Sequence, residues 1–321
     1  MTTTGTAPRA AAQQTDALVH LGRALQETGY EFTTVTPATH ARVNRRPGNA
    51  TARNLRDVFG WSRPFAPGVL PAGMLDLLHA AGAAERRGGL WCSRVRFSSY
   101  DGELFVHSAF PTDRDDSVFF GPDTYRMADA AVAHVTGRAE PVTRAVDIGC
   151  GTGAGAIAVA KRVPGAEVLA VDINDTALRY AEVNVALAGT SGVRPGRSDL
   201  LDGVDGTFDL IVSNPPFMID PVGRTYRDGG GPHGNELSLR IIGAAAGRLA
   251  PGGSLVLFSG VGIVDGHDPL RRAAAERLDG TGLSWSYREV DPDVYGEELE
   301  GEAYARAERI AVVVLTATRA R

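Results

Sequence analysis

The residues best equipped to do chemistry lie in Val212–Phe217, VSNPPF, directly after the apolar run Phe208-Asp209-Leu210-Ile211. Asn214 offers a carbonyl acceptor and an amide donor, Pro215 fixes φ and leaves its own carbonyl exposed, and Phe217 brings a ring that can stack on a flat group. Two acceptors aimed at one NH2 group can hold a planar nitrogen and orient its lone pair. Asn-Pro is also an ordinary turn former, so the motif means chemistry only if neighbouring elements place it at a ligand site.

A second group points to such a site. VDIGCGTGAG, carrying Asp147, Gly149, Gly151 and Gly153, separates the strand pattern RAVDIG from the helix pattern GAIAVAKRV. Glycines there allow a tight turn and close backbone approach by a ligand, and the helix that follows offers free amides at its N-terminus. Alone the pattern also fits a plain strand-to-helix turn. About 20 residues beyond the loop, AVDIN sets Asp172 and Ile173 at the end of a second strand, where a carboxylate can accept both ribose hydroxyl protons. RSDLLDG sets Asp199 and Leu200 at the end of a third, an acid for an adenine amino proton and a leucine to cover the ring. Three strand ends on one rim then converge on one adenosine.

The elements that must position these residues follow from periodicity. From Phe119 onward strands and helices alternate, which predicts an α/β doubly wound sheet. EVLAVDI, FDLIVSN, SLVLFSGV, LSWSYREV and RIAVVVLTATR supply further strands, and DTALRYAEVNVALAG and NELSLRIIGAAAGRLAPGG supply helices. Earlier in the chain DALVHLGRALQETGY, TARNLRDVFGW and PAGMLDLLHAAG have helical spacing, and two alternating runs flank Asp101-Gly102, a strong hairpin signal. The expected organisation is a disordered tail over residues 1–15, a smaller helical, winged-helix-like domain over 16–110, and the α/β domain over 111–321.

Bulk properties narrow the class. The chain has 321 residues, Lys+Arg 33 against Asp+Glu 38 and a net charge of −5, so it lacks the overall basic footprint of a dedicated nucleic-acid binder. Its two cysteines, Cys92 and Cys150, show neither CxxC spacing nor histidine pairing, which indicates no disulfide framework and no metal site. No apolar run has the length of a membrane span or the form of a secretory leader, and a soluble, cytoplasmic protein is expected.

The D-x-G-x-G-x-G loop, with an acid two residues before its first glycine, and the two acidic strand ends after it resemble class I S-adenosylmethionine-dependent methyltransferases over about two-thirds of the chain. The resemblance implies a seven-stranded Rossmann-like sheet and S-adenosylmethionine as cofactor. It places Asp147 near the cofactor's methionine amino group and Asn214 opposite the sulfonium methyl. Asn214-Pro215-Pro216-Phe217 is similar to the N/D-P-P-Y/F group of amino-methyltransferases, which modify adenine N6, cytosine N4, guanine N2 and glutamine N5, and so implies N-methylation. Two more segments resemble protein-glutamine N5-methyltransferases. Pro122-Asp123-Thr124 matches their entry segment, with Phe120-Gly121 in place of a basic residue between two prolines. Asp228, Gly229, Gly230 and Arg240 match their downstream loop and helix. The N-terminal region does not match the helical domain with which those enzymes grip a release factor.

The acceptor is read from two charge clusters. Arg42, Arg45, Arg46, Arg53, Arg56 and Arg63 face only Asp57 and form either a solvated surface or, as the second choice, a phosphate-binding face for nucleic acid. Asp291, Asp293, Glu297, Glu298, Glu300 and Glu302, interleaved with Tyr295 and Tyr304, form either a solvated loop or a cluster that would repel phosphate and pair with a cation. The expectation is therefore a small amino-acid-like substrate with a planar NH2, such as the guanidino group of arginine or an amide. Tyr226, His233, Tyr295, Glu297 and Glu298 are its candidate contacts, and the N-terminal domain covers it. The alternative is a macromolecular acceptor, a protein glutamine or an exocyclic amine of an rRNA or tRNA base.

Overall fold

The computed structural model describes residues 6–321, with side chains from Arg9 onward. Of the segment expected as a tail, residues 1–5 lie outside the described residues, whereas Thr6–Glu27 is one helix, α1. Residues 6–15 are thus helical, and Gln14 there accepts a 3.0 Å hydrogen bond from Arg179. Alanine-rich composition, read as disorder, is also the composition with the highest helix propensity.

Three short helices follow, α2 (Pro37–Asn44), α3 (Leu55–Phe59) and α4 (Met74–Ala80), then two hairpins, β1–β2 (Ala84–Arg87, Leu90–Ser93) and β3–β4 (Val95–Tyr100, Glu103–Ser108). The β3–β4 turn is the two residues Asp101 and Gly102, both at positive φ, between the paired Tyr100 and Glu103. That backbone matches the right-handed twist of the strands it joins. The apolar stripes of α1 and α3 bury Leu18, Leu21, Leu25, Val58 and Phe59 against Phe97 and Val106. The same cluster takes in Ala177, Tyr180 and Val183 from the α/β region, so the N-terminal core is closed by a helix of the larger sheet.

That sheet has seven strands in the order β10-β11-β9-β8-β5-β6-β7. They are β5 (Arg144–Ile148), β6 (Glu167–Asp172), β7 (Val193–Arg197), β8 (Phe208–Ser213), β9 (Leu249–Ile263), β10 (Leu283–Asp291) and β11 (Arg309–Arg319). β11 alone runs against its neighbours β9 and β10. β7 tolerates Pro195 because it is an edge strand. Helices α5 (Pro122–Gly137), α6 (Ala154–Arg162) and α7 (Asp175–Ala188) cover one face, and α8 (Glu236–Ala246) and α9 (Pro269–Leu278) the other. The chain builds β5, β6 and β7 outward in one direction and then returns to lay β8 on the other side of β5. Ligands of such sheets bind in the crevice at the strand ends where the order reverses, between β5 and β8. The glycine loop follows β5 and Asn214 follows β8.

Candidate active site

A cavity of about 360 Å³ opens at that switch point, a size within the range of small-molecule sites. Its wall includes Gly149, Gly151, Asp172, Ile173, Asp199, Leu200, Asn214, Pro215, Phe217, Tyr226 and Tyr295, all expected from sequence.

The glycine loop is tied to β6. The Gly149 and Cys150 amides donate to the Val171 carbonyl at 2.8 and 3.0 Å, and the Gly151 amide donates to Asp172 Oδ2 at 2.9 Å. Asp172 Oδ1 accepts from the Asn174 amide at 2.9 Å. The carboxylate is thereby oriented with lone pairs to spare, and burial raises its pKa. Gly153 has φ +75° and caps α6; a Cβ there would lie 3.2 Å from that of Ala181 on α7. Its glycine serves helix packing, and Gly153 is outside the cavity wall.

Asp147 is also behind the wall. It is 1% exposed, its Oδ2 accepts from the Ala156 amide at 2.9 Å, and its Oδ1 has no partner among the described residues. Burial pushes its carboxyl up to about 7. Gly155, which sequence reasoning did not single out, stands between: a Cβ there would come within 2.7 Å of Asp147 Oδ2, and Gly155 itself lines the cavity. A positive group in the cavity would complement this buried acceptor.

Across the opening, Ile173 is 53% exposed, unusual for a large aliphatic side chain and suited to cover a flat ring. Asp199 pairs loosely with Arg240 at 3.5 Å, and Leu200 holds φ +49°. These groups fit an adenosine: a diol acceptor at Asp172, an apolar cover at Ile173 and Leu200, and an exposed acid at Asp199.

Asn214 stands opposite the glycine loop. Its Oδ1 is buried and has no hydrogen-bond partner among the described residues, and no backbone amide among them donates to the Pro215 carbonyl. Native structures seldom leave a buried acceptor empty. Phe217 is 7% exposed, its ring 6.3 Å from that of Tyr295 and 6.4 Å from Phe258. It fits only because residue 260 is glycine: a Cβ there would lie 2.4 Å from the Phe217 ring.

The substrate-side residues divide. Tyr226 donates to the Thr112 carbonyl, and Thr225 to that of Asp115 at 2.8 Å, so the loop after Phe217 holds the linker across the cavity. Tyr295, at φ +55°, donates to Asp123, a carboxyl raised to about 6 by burial. Glu298 pairs with Arg227 at 2.6 Å and Asp291 with Arg126 at 2.8 Å. His233 is exposed and, with Glu297 and Glu298, is absent from the wall. The acidic cluster, expected to receive a cation, thus directs key carboxylates at the protein's own arginines. Arg224 and Arg227 in the wall were missed; both pair with Asp220, whose carboxyl Arg224 draws down to about 2.

Residues 130–261 match the family model described as Methyltransferase small domain. Over these residues the chain is similar to class I S-adenosylmethionine-dependent methyltransferases. The chain is 38% identical over 152 residues to the release factor glutamine methyltransferase of Rhodopirellula baltica, covering 42% of this chain and 51% of that protein. Against the release factor glutamine methyltransferase of Deinococcus radiodurans it is 36% identical over 165 residues, covering 48% and 55%. The chain spans about half the length of these curated relatives. Trm5b from Pyrococcus abyssi shares the fold, with TM-score 0.50 and 16% identity over 74% of this chain and 62% of that one.

Proposed function

We propose that the protein transfers a methyl group from S-adenosylmethionine to a planar NH2 nitrogen, and that the acceptor is the side-chain amide of a glutamine in a protein or peptide. The observation that carries the reading is the unpartnered, buried Asn214 Oδ1 in the wall of the cavity. The cofactor supplies an electrophilic sulfonium methyl. Asn214 Oδ1 and the Pro215 carbonyl accept the two N–H groups of the acceptor, and Phe217 lies against its plane. Two acceptors fix the orientation of the nitrogen lone pair and draw the N–H protons away from it, so positioning and electrostatics do most of the work. Asn214 is neutral, so the proton leaves the nitrogen only after the methyl has arrived.

Two considerations move the reading from a small cation to a macromolecular amide. Two carboxylates of the acidic cluster, Asp291 and Glu298, are paired with Arg126 and Arg227, which weakens the case for a guanidinium. The similar proteins named above are called glutamine methyltransferases. The test is incubation with methyl-labelled S-adenosylmethionine against separated protein, RNA and metabolite pools, with mass spectrometry of the labelled product. Label on a glutamine side chain is the expected result. Label on a base amine or a free amino acid would keep the N-methyl chemistry and replace the substrate; label on carbon or oxygen would overturn both.

A further inference from the structure

We propose that the arginine face formed by α2 and the loop after it docks the phosphodiester backbone of a nucleic acid beside the mouth of the active-site cavity. Arg42 lies in the last turn of α2, Arg45 is its C-cap, and Arg46 follows. Spacings of three and four residues bring such side chains to one side of a helix. All three are exposed, as are Arg53 and Arg56. Asn49 Nδ2 donates to the Val43 carbonyl at 2.8 Å and the Asn49 amide to that of Arg46 at 3.1 Å, which folds the loop back on the helix. Arg56 is steadied over the Phe32 ring at 5.5 Å.

Arg63 belongs to the scaffold instead. It is 4% exposed, pairs with Asp57 and donates from Nε to Asn44 Oδ1 at 3.0 Å. Asp57 is the sole acid between residues 37 and 63. Its carboxylate is buried and committed to Arg63 and to the Arg53 amide, with the Arg53 guanidinium at 3.8 Å. Arg42, Arg45, Arg46 and Arg56 have no ion pair among the described residues. The face is a local excess of positive charge on a chain of net charge −5.

Its position gives it a use. Pro37, at the start of α2, is part of the cavity wall, and His40 stacks at 4.2 Å on Phe110, another wall residue. At about 1.5 Å of rise per residue, Arg42 is about 7.5 Å along the helix from that wall. Forked guanidinium groups match phosphate oxygens. The exposed large aliphatic side chains among the described residues are Ile173 and Val222, and neither is on this face. A stable protein interface would need an apolar centre, whereas nucleic-acid interfaces are polar and basic. The inference is independent of which nitrogen is methylated.

The test is fluorescence anisotropy of the full chain with labelled single-stranded RNA, duplex RNA and duplex DNA in rising KCl; the three arms show which backbone is preferred. Arg42→Gln/Arg45→Gln/Arg46→Gln should weaken binding at least about tenfold and make the log–log salt slope shallower by about 2–3, the change for three lost phosphate contacts. Arg271→Gln/Arg272→Gln on α9 should leave affinity unchanged. Unaltered S-adenosylmethionine binding establishes that the triple variant is folded, and Arg46→Gln alone gives a milder series. Absence of binding at low salt, equal loss in the α9 variant, or displacement of RNA by polyglutamate as readily as by unlabelled RNA would overturn the proposal.

Discussion

Asp172 at the end of β6 accepts a 2.9 Å hydrogen bond from the Gly151 amide in the loop after β5. One carboxylate therefore shapes the glycine loop and faces the cavity. Charge-assisted hydrogen bonds contribute about 1.5–3 kcal/mol, so Asp172→Ala should weaken S-adenosylmethionine binding by about 10–100-fold. Asp172→Asn, which keeps an acceptor for Gly151, should lose less. Isothermal titration calorimetry on both variants checks the order.

Asp147 makes stability depend on pH. In the unfolded chain its carboxyl titrates near 3.8 and in the folded protein near 7, so the folded state holds an extra proton between those values. Stability from this group is complete below about 4 and is lost as pH rises toward 7. Asp123, raised to about 6, acts in the same direction. Asp147→Asn should raise Tm at pH 8 by about 2–4 °C, the shift for about 1 kcal/mol in a domain of this size. It should also reduce, without abolishing, the fall in Tm between pH 5 and pH 8 seen by thermal unfolding.

Gly260 supports Phe217 without lining the cavity. Gly260→Ala must displace the ring, and misplacement near the reacting group can cost about 100-fold. Methyl transfer should fall by roughly 10–100-fold in steady-state assays while cofactor affinity stays near wild type. Equal loss of both would assign Gly260 to general packing.

Asn184 joins the two parts of the molecule. It is fully buried on α7; its Oδ1 accepts from the Val106 amide at 2.7 Å, and its Nδ2 donates to the Val106 and Thr152 carbonyls at 3.1 and 2.9 Å. Asn184→Ala leaves the Val106 amide and two carbonyls unpaired, at a cost of about 1–3 kcal/mol for each buried group left unmade. A Tm drop of several degrees by calorimetry is expected, larger than for the exposed substitution Arg240→Ala.

The α/β half was legible because each of its determinants is local. Apolar runs such as Ala145-Val146 and Val312-Val313 mark buried strands, and Gly151, Asp172 and Asn214 fall at strand ends that topology brings to one rim. Gly155, Gly260 and Asn184 were not legible, since their importance arises from contacts 8 to 78 residues away. The acidic loop misled for a related reason: composition displays Glu298 and Asp291 but not the partners Arg227 and Arg126 that compensate them. Arg63 likewise looked like surface charge until folding placed it against Asp57. In α1 the helix propensity of the alanines outweighed the disorder suggested by their neighbours.

The acceptor clamp at Asn214 is tested most directly by paired measurements on Asn214→Ala: single-turnover methyl transfer to the labelled acceptor pool and calorimetric binding of S-adenosylmethionine. The predicted result is a transfer rate reduced about 10²–10³-fold, the loss typical of removing one preorganised polar contact at a reacting group, with cofactor binding retained. A variant that binds the cofactor and transfers methyl at the wild-type rate would contradict the account.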